Sequence, residues 1–362
     1  MPDLTLLSPS EQVAKHLREE LRRGRWSGMM PGSPALAAEF GIDSKTIWAA
    51  LVHLENDGIL ERQGPGRPRK IVLPTGTRDV ASLRIAILEY EIASLNDDYM
   101  VDLHHKLIEA GHQAFHPSKT LNELGMKLPR IRRMVKETDA DAWIVCASSG
   151  DVLKWFSKQK EPTFALFGRR RELPIAGVGP DHEAVGRAMI RRLIALGHQR
   201  IVILARESQR AGGPGQSELA IFDEMAKHGL PSGPYNLPEW EDSPDGLHRV
   251  LEGLFQVTPP SALIIDEPFV FHAVKDHLAR RGILAPTHVS LICGDPDHTF
   301  TWLQPSVAHV RWDHRPIVRR IVNWAANISQ GKKDLRQTLT KAEFVEGGTI
   351  GPVPRRDSPH PS

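Results

Sequence analysis

A group of cationic side chains lies in a short segment rich in glycine and proline. Four basic residues fall within nine positions there, namely Arg62, Arg67, Arg69 and Lys70. Proline and glycine keep such a segment extended and thin, and arginines on an extended strand can enter the narrow, electronegative minor groove of A·T-rich DNA. The alternative is a solvated basic turn. The secondary structure that surrounds the segment decides between these two interpretations.

The sequence shows no residue spacing typical of a metal site or of a phosphate-binding loop. The seventeen histidines show neither the H-E-x-x-H pattern nor the Cys/His spacing of a metal site. The glycine-rich stretch 212–215 lacks the Lys-Ser/Thr pair of a phosphate-binding loop, so it is interpreted as a flexible loop. We therefore predict no metal site and no cofactor.

Length and composition describe a multidomain globular protein. A chain of 362 residues is too long for one hydrophobic core, and a net charge of +2 does not by itself indicate a nucleic-acid binder. The first residues lack the pattern of a secretion signal, and no apolar run reaches the roughly 18 residues of a membrane span. Cys146 and Cys293 sit in apolar runs, which favours reduced core thiols over a disulfide. We expect a cytoplasmic protein without membrane association.

The first 74 residues predict three helices followed by a hairpin. Ser8-Pro9-Ser10-Glu11 is a capping box, and the segment that follows repeats apolar residues every four positions. A second helix starts at Ser33-Pro34 and ends at Gly41, and Asp43 is placed to cap the third. Two short helices joined by a tight turn are the helix-turn-helix pattern, and the β-like runs on either side of the Gly/Pro tip predict a wing.

The segment LAAEFGIDSKTIWAALVHLENDGILERQGPGR resembles the winged-helix domain of the GntR family of bacterial regulators, with the resemblance spanning about residues 8–74. It implies that the third helix enters the major groove and that the wing tip meets the minor groove. Three positions that often hold DNA-contacting arginines in the family are Pro34, Ser44 and Trp48 here, whereas the wing segment Gly66-Arg67-Pro68-Arg69-Lys70 resembles an AT-hook core. The predicted DNA-binding residues are Ser33, Asp43, Ser44, Lys45, Thr46, Trp48, Gly64, Gly66, Arg67, Arg69 and Lys70.

From Leu83 onward, buried-strand runs alternate with stretches of helix length. Continuous apolar strands alternating with helices predict parallel sheets covered on both faces, and about 280 residues suffice for two doubly wound lobes. The segments D-x4-G…LGHQRI (181–201) and P-x2-V-S-L-I-C-G-D (286–295) resemble the effector domain of LacI/GalR-type regulators, which is similar to periplasmic sugar-binding proteins.

This second resemblance implies a ligand pocket beyond the carboxyl ends of the strands. Asp295 keeps an acidic position expected to accept two sugar hydroxyls, and Ser217 replaces the usual arginine. Asp266 and Glu267 stand where the family has asparagine and aspartate, and Glu89 and Tyr90 follow the first strand. The predicted effector-binding residues are Glu89, Tyr90, Asp266, Glu267 and Asp295, while strand-end capping is the alternative for each. Arg206 and Arg210 are candidates for the missing cation.

The predicted architecture is a multidomain α/β chain. It has a winged helix-turn-helix over residues 1–74, a linker over 75–82, a two-lobed type I periplasmic-binding-protein-like domain over 83–350 and a disordered tail over 351–362. Lobe 1 is assigned about 83–180 plus 308–330, and lobe 2 about 181–307 plus 331–350.

The function that these features predict is a ligand-responsive transcription regulator, in the form of a repressor. A sugar or related polar metabolite would control operator binding through lobe closure in a homodimer. One alternative is an architectural binder of A·T-rich minor grooves with a vestigial effector domain. A solute-binding protein lacks support without a signal peptide. A GntR-headed enzyme of the aminotransferase-fused kind lacks the necessary chain length and cofactor-lysine region, so we predict no enzymatic activity.

Overall fold

The computed structural model describes residues 8–22, 25–26, 28–64, 67–72, 82–206 and 213–353. Several predictions concern residues outside these ranges. They include the DNA contact of Gly66, the cationic role of Arg210, nearly all of the linker and most of the tail.

The N-terminal domain consists of three helices and a small antiparallel hairpin. Its elements are α1 (Pro9–Arg22), α2 (Ser33–Phe40), α3 (Ser44–Asn56), β1 (Leu60–Glu61) and β2 (Lys70–Ile71). The capping box that begins α1 is reciprocal. The Ser8 N–H donates to the Glu11 carboxylate over 2.7 Å, and the Glu11 N–H donates to the Ser8 hydroxyl over 3.3 Å. Two amides at the start of α1 are thereby satisfied.

The core of this domain is one apolar cluster contributed by all three helices. Leu17 and Leu21 of α1 pack with Leu36 of α2 against α3, whose Ile47, Ala50, Leu51 and Leu54 are fully buried. The turn between α2 and α3 depends on Gly41, whose φ of 64° is a left-handed conformation that glycine adopts without strain. Truncating one of the buried leucines to alanine would cost about 2–5 kcal/mol.

A six-stranded parallel sheet forms the first lobe of the second domain, in the order β12-β7-β6-β5-β3-β4. The helices α4 and α11 pack together on one side of it. The strands are β3 (Arg84–Leu88), β4 (Gln113–Phe115), β5 (Ala142–Cys146), β6 (Thr163–Leu166), β7 (Ala176–Pro180) and β12 (Gln337–Thr340). The helices are α4 (Asp98–Glu109), α5 (Leu128–Glu137), α6 (Gly150–Phe156), α11 (Arg315–Ser329) and the 3-10 helix Ile92–Asn96.

A five-stranded sheet forms the second lobe, in the order β13-β11-β10-β9-β8, with only β13 antiparallel to its neighbour among the described strands. Its strands are β8 (Ile201–Leu204), β9 (Ala262–Ile265), β10 (Ser290–Cys293), β11 (Ala308–Trp312) and β13 (Ala342–Val345). Its helices are α7 (His182–Ala195), α8 (Gln216–Lys227), α9 (Pro244–Val257), α10 (Pro268–Arg280) and the 3-10 helix His298–Trp302.

The chain passes between the two sheets at three places. It leaves the first sheet after Pro180, returns to the first lobe after Trp312, and crosses back between β12 and β13 with only Lys341 between the two strands. The sequence-based lobe boundaries therefore need two corrections. Residues 308–312 form a central strand of the second sheet, and residues 337–340 an edge strand of the first. These short segments were misassigned because lobe membership depends on which strand each one pairs with.

Two further properties can be stated of the described residues. None of their helices is long and apolar enough to cross a bilayer. Cys146 and Cys293 are both buried free thiols, so the prediction of reduced core cysteines is confirmed.

Candidate DNA interface and effector cleft

The N-terminus of α3 combines a tight cap with an exposed face. The Asp43 carboxylate accepts the N–H of Lys45 over 2.9 Å and of Thr46 over 3.0 Å, and also the Thr46 hydroxyl. These hydrogen bonds, led by the one from the Thr46 side chain, lower the pKa of Asp43. Asp43 and Thr46 thus have a structural task, which leaves the exposed Ser44, Lys45 and Trp48 facing solvent.

The two arginines predicted to enter the minor groove differ in their surroundings. Arg69 forms an ion pair with Glu55 of α3, and only 12% of its side chain is exposed. Arg67 and Lys70 are exposed. The expectation that both arginines are available to DNA therefore needs correction, because an acidic residue on the recognition helix already engages Arg69.

The backbone around the wing is also well defined. The Arg69 carbonyl accepts the Met30 N–H over 2.8 Å, and the Ile71 N–H donates to the Gly28 carbonyl over 2.9 Å, so residues 28–30 extend the hairpin as a third edge segment. Of the remaining predicted contacts, Gly64 has a φ of 122° at the start of the wing tip, and Ser33 is the first residue of α2.

A large cleft of about 1420 Å³ lies between the two lobes, where the carboxyl ends of the parallel strands of both sheets meet. Four of the five predicted effector residues line it, namely Tyr90, Asp266, Glu267 and Asp295. The strand-end rule thus places these four residues at the cleft, although it says nothing about which polar groups are already paired.

Asp295 follows β10 and is held by an indole. The Trp312 Nε1–H donates to its Oδ1 over 2.6 Å. Burial, followed by the charges of Glu267 and Asp97, raises the pKa of Asp295 to about 7 despite this hydrogen bond. Asp97, on the facing lobe, likewise has a pKa raised to about 6 by burial and then by neighbouring carboxylates.

Glu89 lies apart from the large cleft. Its side chain is 3% exposed and accepts the Cys146 thiol over 3.0 Å, and burial raises the pKa of the carboxyl to about 7. It borders a separate cavity of about 230 Å³ together with His116 and Thr120. The strand-end position was correct, but the carboxylate points into the lobe because side chains alternate between the two faces of a strand.

Arg206 follows β8 and connects the lobes. It donates to Asp242 over 2.9 Å and to Glu267 over 3.1 Å in its own lobe, and to Glu91 over 3.1 Å in the first lobe. Its guanidinium also lies 4.9 Å from the ring centroid of Tyr90. Burial opposes the charge, but the pairing with Glu267 and the other carboxylates outweighs it and raises the pKa of Arg206. These carboxylates already engage the cation that was a candidate for the ligand.

Three aromatic side chains line the cleft where the chain crosses between the lobes. Tyr99 lies 5.5 Å from Phe167 and 6.1 Å from Trp312, and Phe167 lies 5.6 Å from Trp312, measured between ring centroids. We call these residues the aromatic trio. Two other tryptophans of the same domain lie elsewhere, since Trp324 is buried in the first lobe and Trp302 is 84% exposed.

Sequence reasoning missed Asp97, Arg170 and Asp242, all near the cleft. Arg170 belongs to a run of three arginines directly after β6, and β7 carries glycines at alternate positions, Gly177 and Gly179. An arginine run at a strand end beside a strand with small side chains was the signal available. No group of three potential metal ligands occurs among the described residues.

Fold and site together define a class of protein: a small helix-turn-helix reader of DNA joined to a two-lobed domain that encloses a ligand cleft. Residues 9–67 match the model of the bacterial regulatory proteins of the gntR family, and residues 190–350 match that of the periplasmic binding protein-like domain. The chain therefore carries a GntR-family DNA-binding domain and an effector domain of the LacI/GalR type, and it is a transcription regulator rather than an enzyme. Both predicted resemblances are confirmed.

Solved structures share the fold of the second domain at low identity. A LacI family regulator from Enterococcus faecium, crystallised with ribose, is 16% identical with a TM-score of 0.58, over 74% of this chain and 99% of that one. The lac repressor dimer bound to operator and an anti-inducer is 15% identical, with a TM-score of 0.61 over 77% and 99%. The regulator CcpA of Lactococcus lactis is 9% identical, with a TM-score of 0.61 over 74% and 99%. No curated protein matches in the sequence comparison.

Proposed function

We propose that this protein is a transcription repressor whose affinity for its operator is controlled by a polyhydroxylated ligand in the interlobe cleft. The observation that carries the proposal is the combination of the aromatic trio with Asp295 in that cleft. Aromatic rings offer an apolar face to the C–H groups of a sugar ring, and a carboxylate accepts hydrogen bonds from adjacent hydroxyls. The ribose bound to the Enterococcus faecium regulator supports this ligand class.

Control would operate through closure of the lobes. A ligand shifts such an equilibrium only by binding one arrangement better than the other. Residues from both lobes line the cleft, and the Arg206–Glu91 pair already spans it. A ligand that contacts Asp295 on one side and Phe167 on the other would therefore change the relative orientation of the lobes.

We further propose that the DNA-binding form is a homodimer. The lac repressor, which has a similar effector fold, was solved as a dimer on its operator. Two winged-helix heads would then read half-sites about one helical turn, roughly 10 base pairs, apart. Within each head, Ser44, Lys45 and Trp48 would face the major groove, with Arg67 and Lys70 near the backbone or the minor groove.

The experiment is an operator-binding titration with and without candidate ligands. Purified full-length protein is incubated with duplexes from its own promoter region, and affinity is measured by fluorescence anisotropy at fixed salt, since salt alone changes such affinities strongly. We expect a specific fragment to bind at least about 1000-fold more tightly than random DNA of the same composition. One class of sugar or sugar derivative should lower that affinity. Equal affinity for all duplexes would contradict the proposal.

The pocket is tested separately with Asp295→Ala. This variant should keep operator affinity and lose the response to the ligand. Trp302→Ala is the matched control, because Trp302 belongs to the same lobe, is exposed and does not line the cleft. A full ligand response in Asp295→Ala would remove Asp295 from the pocket. The architectural alternative is not proposed, because the second domain keeps a large, polar-lined cleft.

A further inference from the structure

Arg170 occupies a slot shaped by missing side chains. Its guanidinium and Cδ lie against Gly177 and Gly179, two alternate residues on one face of β7. A Cβ at Gly177 would approach the Arg170 Cδ to 2.4 Å and the Ala165 carbonyl to 2.8 Å, and a Cβ at Gly179 would lie 3.2 Å from both Nη atoms. Gly177 is therefore required for this placement of the arginine, and Gly179 leaves additional room for its guanidinium.

Among the described residues, no side chain compensates the charge of Arg170. Its guanidinium donates only to the carbonyls of Phe167 and Thr338, both at 3.4 Å, and no carboxylate of the described residues lies within ion-pair distance. Burial lowers the pKa of Arg170 to about 10. A partly buried cation with two long carbonyl contacts is unfavourable unless something else supplies negative charge.

Neighbouring cations have partners, which sets Arg170 apart. Arg206 contacts three carboxylates, and Arg171 pairs with Glu183 over 3.2 Å. The adjacent His182 at the start of α7 has a pKa lowered by burial and then by the Arg170 charge, which favours its neutral form. Asp97 and Asp295, with pKa values of about 6 and 7, carry less negative charge near neutral pH than free aspartates.

Arg170 and Asp295 lie in one continuous site. Arg170 donates to the Phe167 carbonyl, the Phe167 ring contacts Trp312, and Trp312 donates to Asp295. All four residues line the same cleft. The surface that connects the carboxylate and the guanidinium is thus aromatic.

We propose that Arg170 binds an anionic group of the effector, so that the effector is a polyhydroxylated compound carrying a carboxylate or a phosphate. This proposal rests on the proposed ligand-controlled function and names the ligand class for the same cleft. The hydroxylated part of the molecule contacts Asp295 and the aromatic trio. The anionic part accepts a forked pair of hydrogen bonds from the guanidinium, whose planar geometry matches both kinds of oxyanion.

The test compares matched probes by calorimetry and thermal shift on the full-length protein. Neutral glucose and ribose are set against gluconate, galacturonate, glucose 6-phosphate and ribose 5-phosphate, with inorganic phosphate alone as a further arm. At least one charged sugar derivative is expected to bind, and more tightly than its neutral counterpart. Response only to acids or only to phosphates identifies the source of the charge, and response to inorganic phosphate alone counts against a sugar-derived effector.

Variants of Arg170 show whether the guanidinium contributes to the binding of a charged ligand. Arg170→Met should weaken the binding of the charged probe about 10–100-fold, as expected for loss of a charge-assisted hydrogen bond. The difference in affinity between the charged probe and the neutral sugar should therefore become smaller. The affinity of Arg170→Lys for the charged probe should lie between those of the wild type and Arg170→Met, because lysine keeps the charge but loses the paired hydrogen bonds of the guanidinium. Arg133→Met removes the same charge from an exposed ion pair of the same lobe, outside the cleft, and should leave ligand binding unchanged.

A structural role for Arg170 would give a different result. If Arg170 had a structural role, Arg170→Met would lower the melting temperature of the ligand-free protein. Because its charge has no carboxylate partner among the described residues, we expect this variant to leave the melting temperature unchanged or to raise it. Tight binding of a neutral sugar that Arg170→Met does not alter would overturn the anionic assignment while leaving the regulator intact. Failure of every probe to bind would overturn it as well. Loss of specific operator binding by the wild type would instead contradict the proposed function.

Discussion

The DNA-binding head and the interlobe cleft use charge in opposite ways. In the head, Lys45, Arg67 and Lys70 are exposed, and their charges are available to any polyanion that approaches. In the cleft, Arg206 is 6% exposed and shares its charge with carboxylates from both lobes. The cations of the head are therefore separated by solvent, whereas Arg206 and its carboxylates are already held together by the protein. Substituting an exposed cation of the head should affect DNA binding alone, whereas substituting Arg206 in the cleft should also affect folding.

The largest effect that would test this contrast is expected at Arg206. Arg206→Met leaves Glu91, Asp242 and Glu267 without their shared cation, and breaking a buried ion pair from one side costs about 3–5 kcal/mol. We expect the melting transition of the effector domain to fall by about 6–15 °C in differential scanning calorimetry. Arg171→Met, which breaks an exposed ion pair, should change the free energy of unfolding by less than about 1 kcal/mol. Equal stability of the two variants would contradict the contrast.

The next effect concerns the exposed indole of α3. Trp48 is 50% exposed, and its replacement by alanine should remove an apolar contact with base edges. Burying a large apolar side chain contributes about 1.5–3 kcal/mol. Fluorescence anisotropy should show an affinity lower by about 10-fold or more, and circular dichroism an unchanged melting temperature. Trp302→Ala, an exposed tryptophan of the other domain, serves as the control. A fall in stability with no change in affinity would place Trp48 in the packing of the head.

A smaller effect separates the two wing arginines. Arg67→Ala should lower the slope of log affinity against log salt by about one, as expected when one phosphate contact is lost. Arg69→Ala should leave that slope nearly unchanged and destabilise the head, because Arg69 pairs with Glu55. The measurement is a salt titration of operator binding for both variants alongside the wild type. Equal slopes for the two variants would indicate that Arg69 leaves Glu55 when DNA binds.

The smallest effect is a pH dependence from Asp295. Its pKa rises from the usual aspartate range to about 7 in the folded protein, so the fold favours the protonated form. The associated stability is fully present below the unfolded pKa of about 4 and is lost as the pH rises through about 7. In Asp295→Asn, the decrease in melting temperature between pH 5 and pH 8 should be smaller than in the wild type, because the group with the raised pKa no longer titrates. Glu89→Gln should behave similarly, and a variant with the wild-type profile would contradict the assignment.

The sequence predicted the head closely and the cleft in outline. Capping residues, helix faces and the turn at Gly41 depend on neighbours within a few positions, so patterns such as Ser8-x-x-Glu11 determine them locally. The strand ends carrying Asp266, Glu267 and Asp295 were found because parallel strands place their carboxyl ends together. Pairing partners were not predictable in this way. Arg206 meets Glu91 across 115 positions, and Arg69 meets Glu55 across 14, through contacts that only the folded chain creates.

The crossing at Lys341 limits how the two lobes can move. Thr340 pairs with Pro180 in one sheet, and Ala342 pairs with Trp312 in the other, so both neighbours of Lys341 are held by different ladders. One residue contributes two rotatable backbone bonds and less than about 4 Å of reach. The lobes cannot slide apart along this connection, and any rearrangement has to be a swivel about it. An effector would therefore change the angle between the two lobes. The length of each lobe would convert that change of angle into a displacement at its far end.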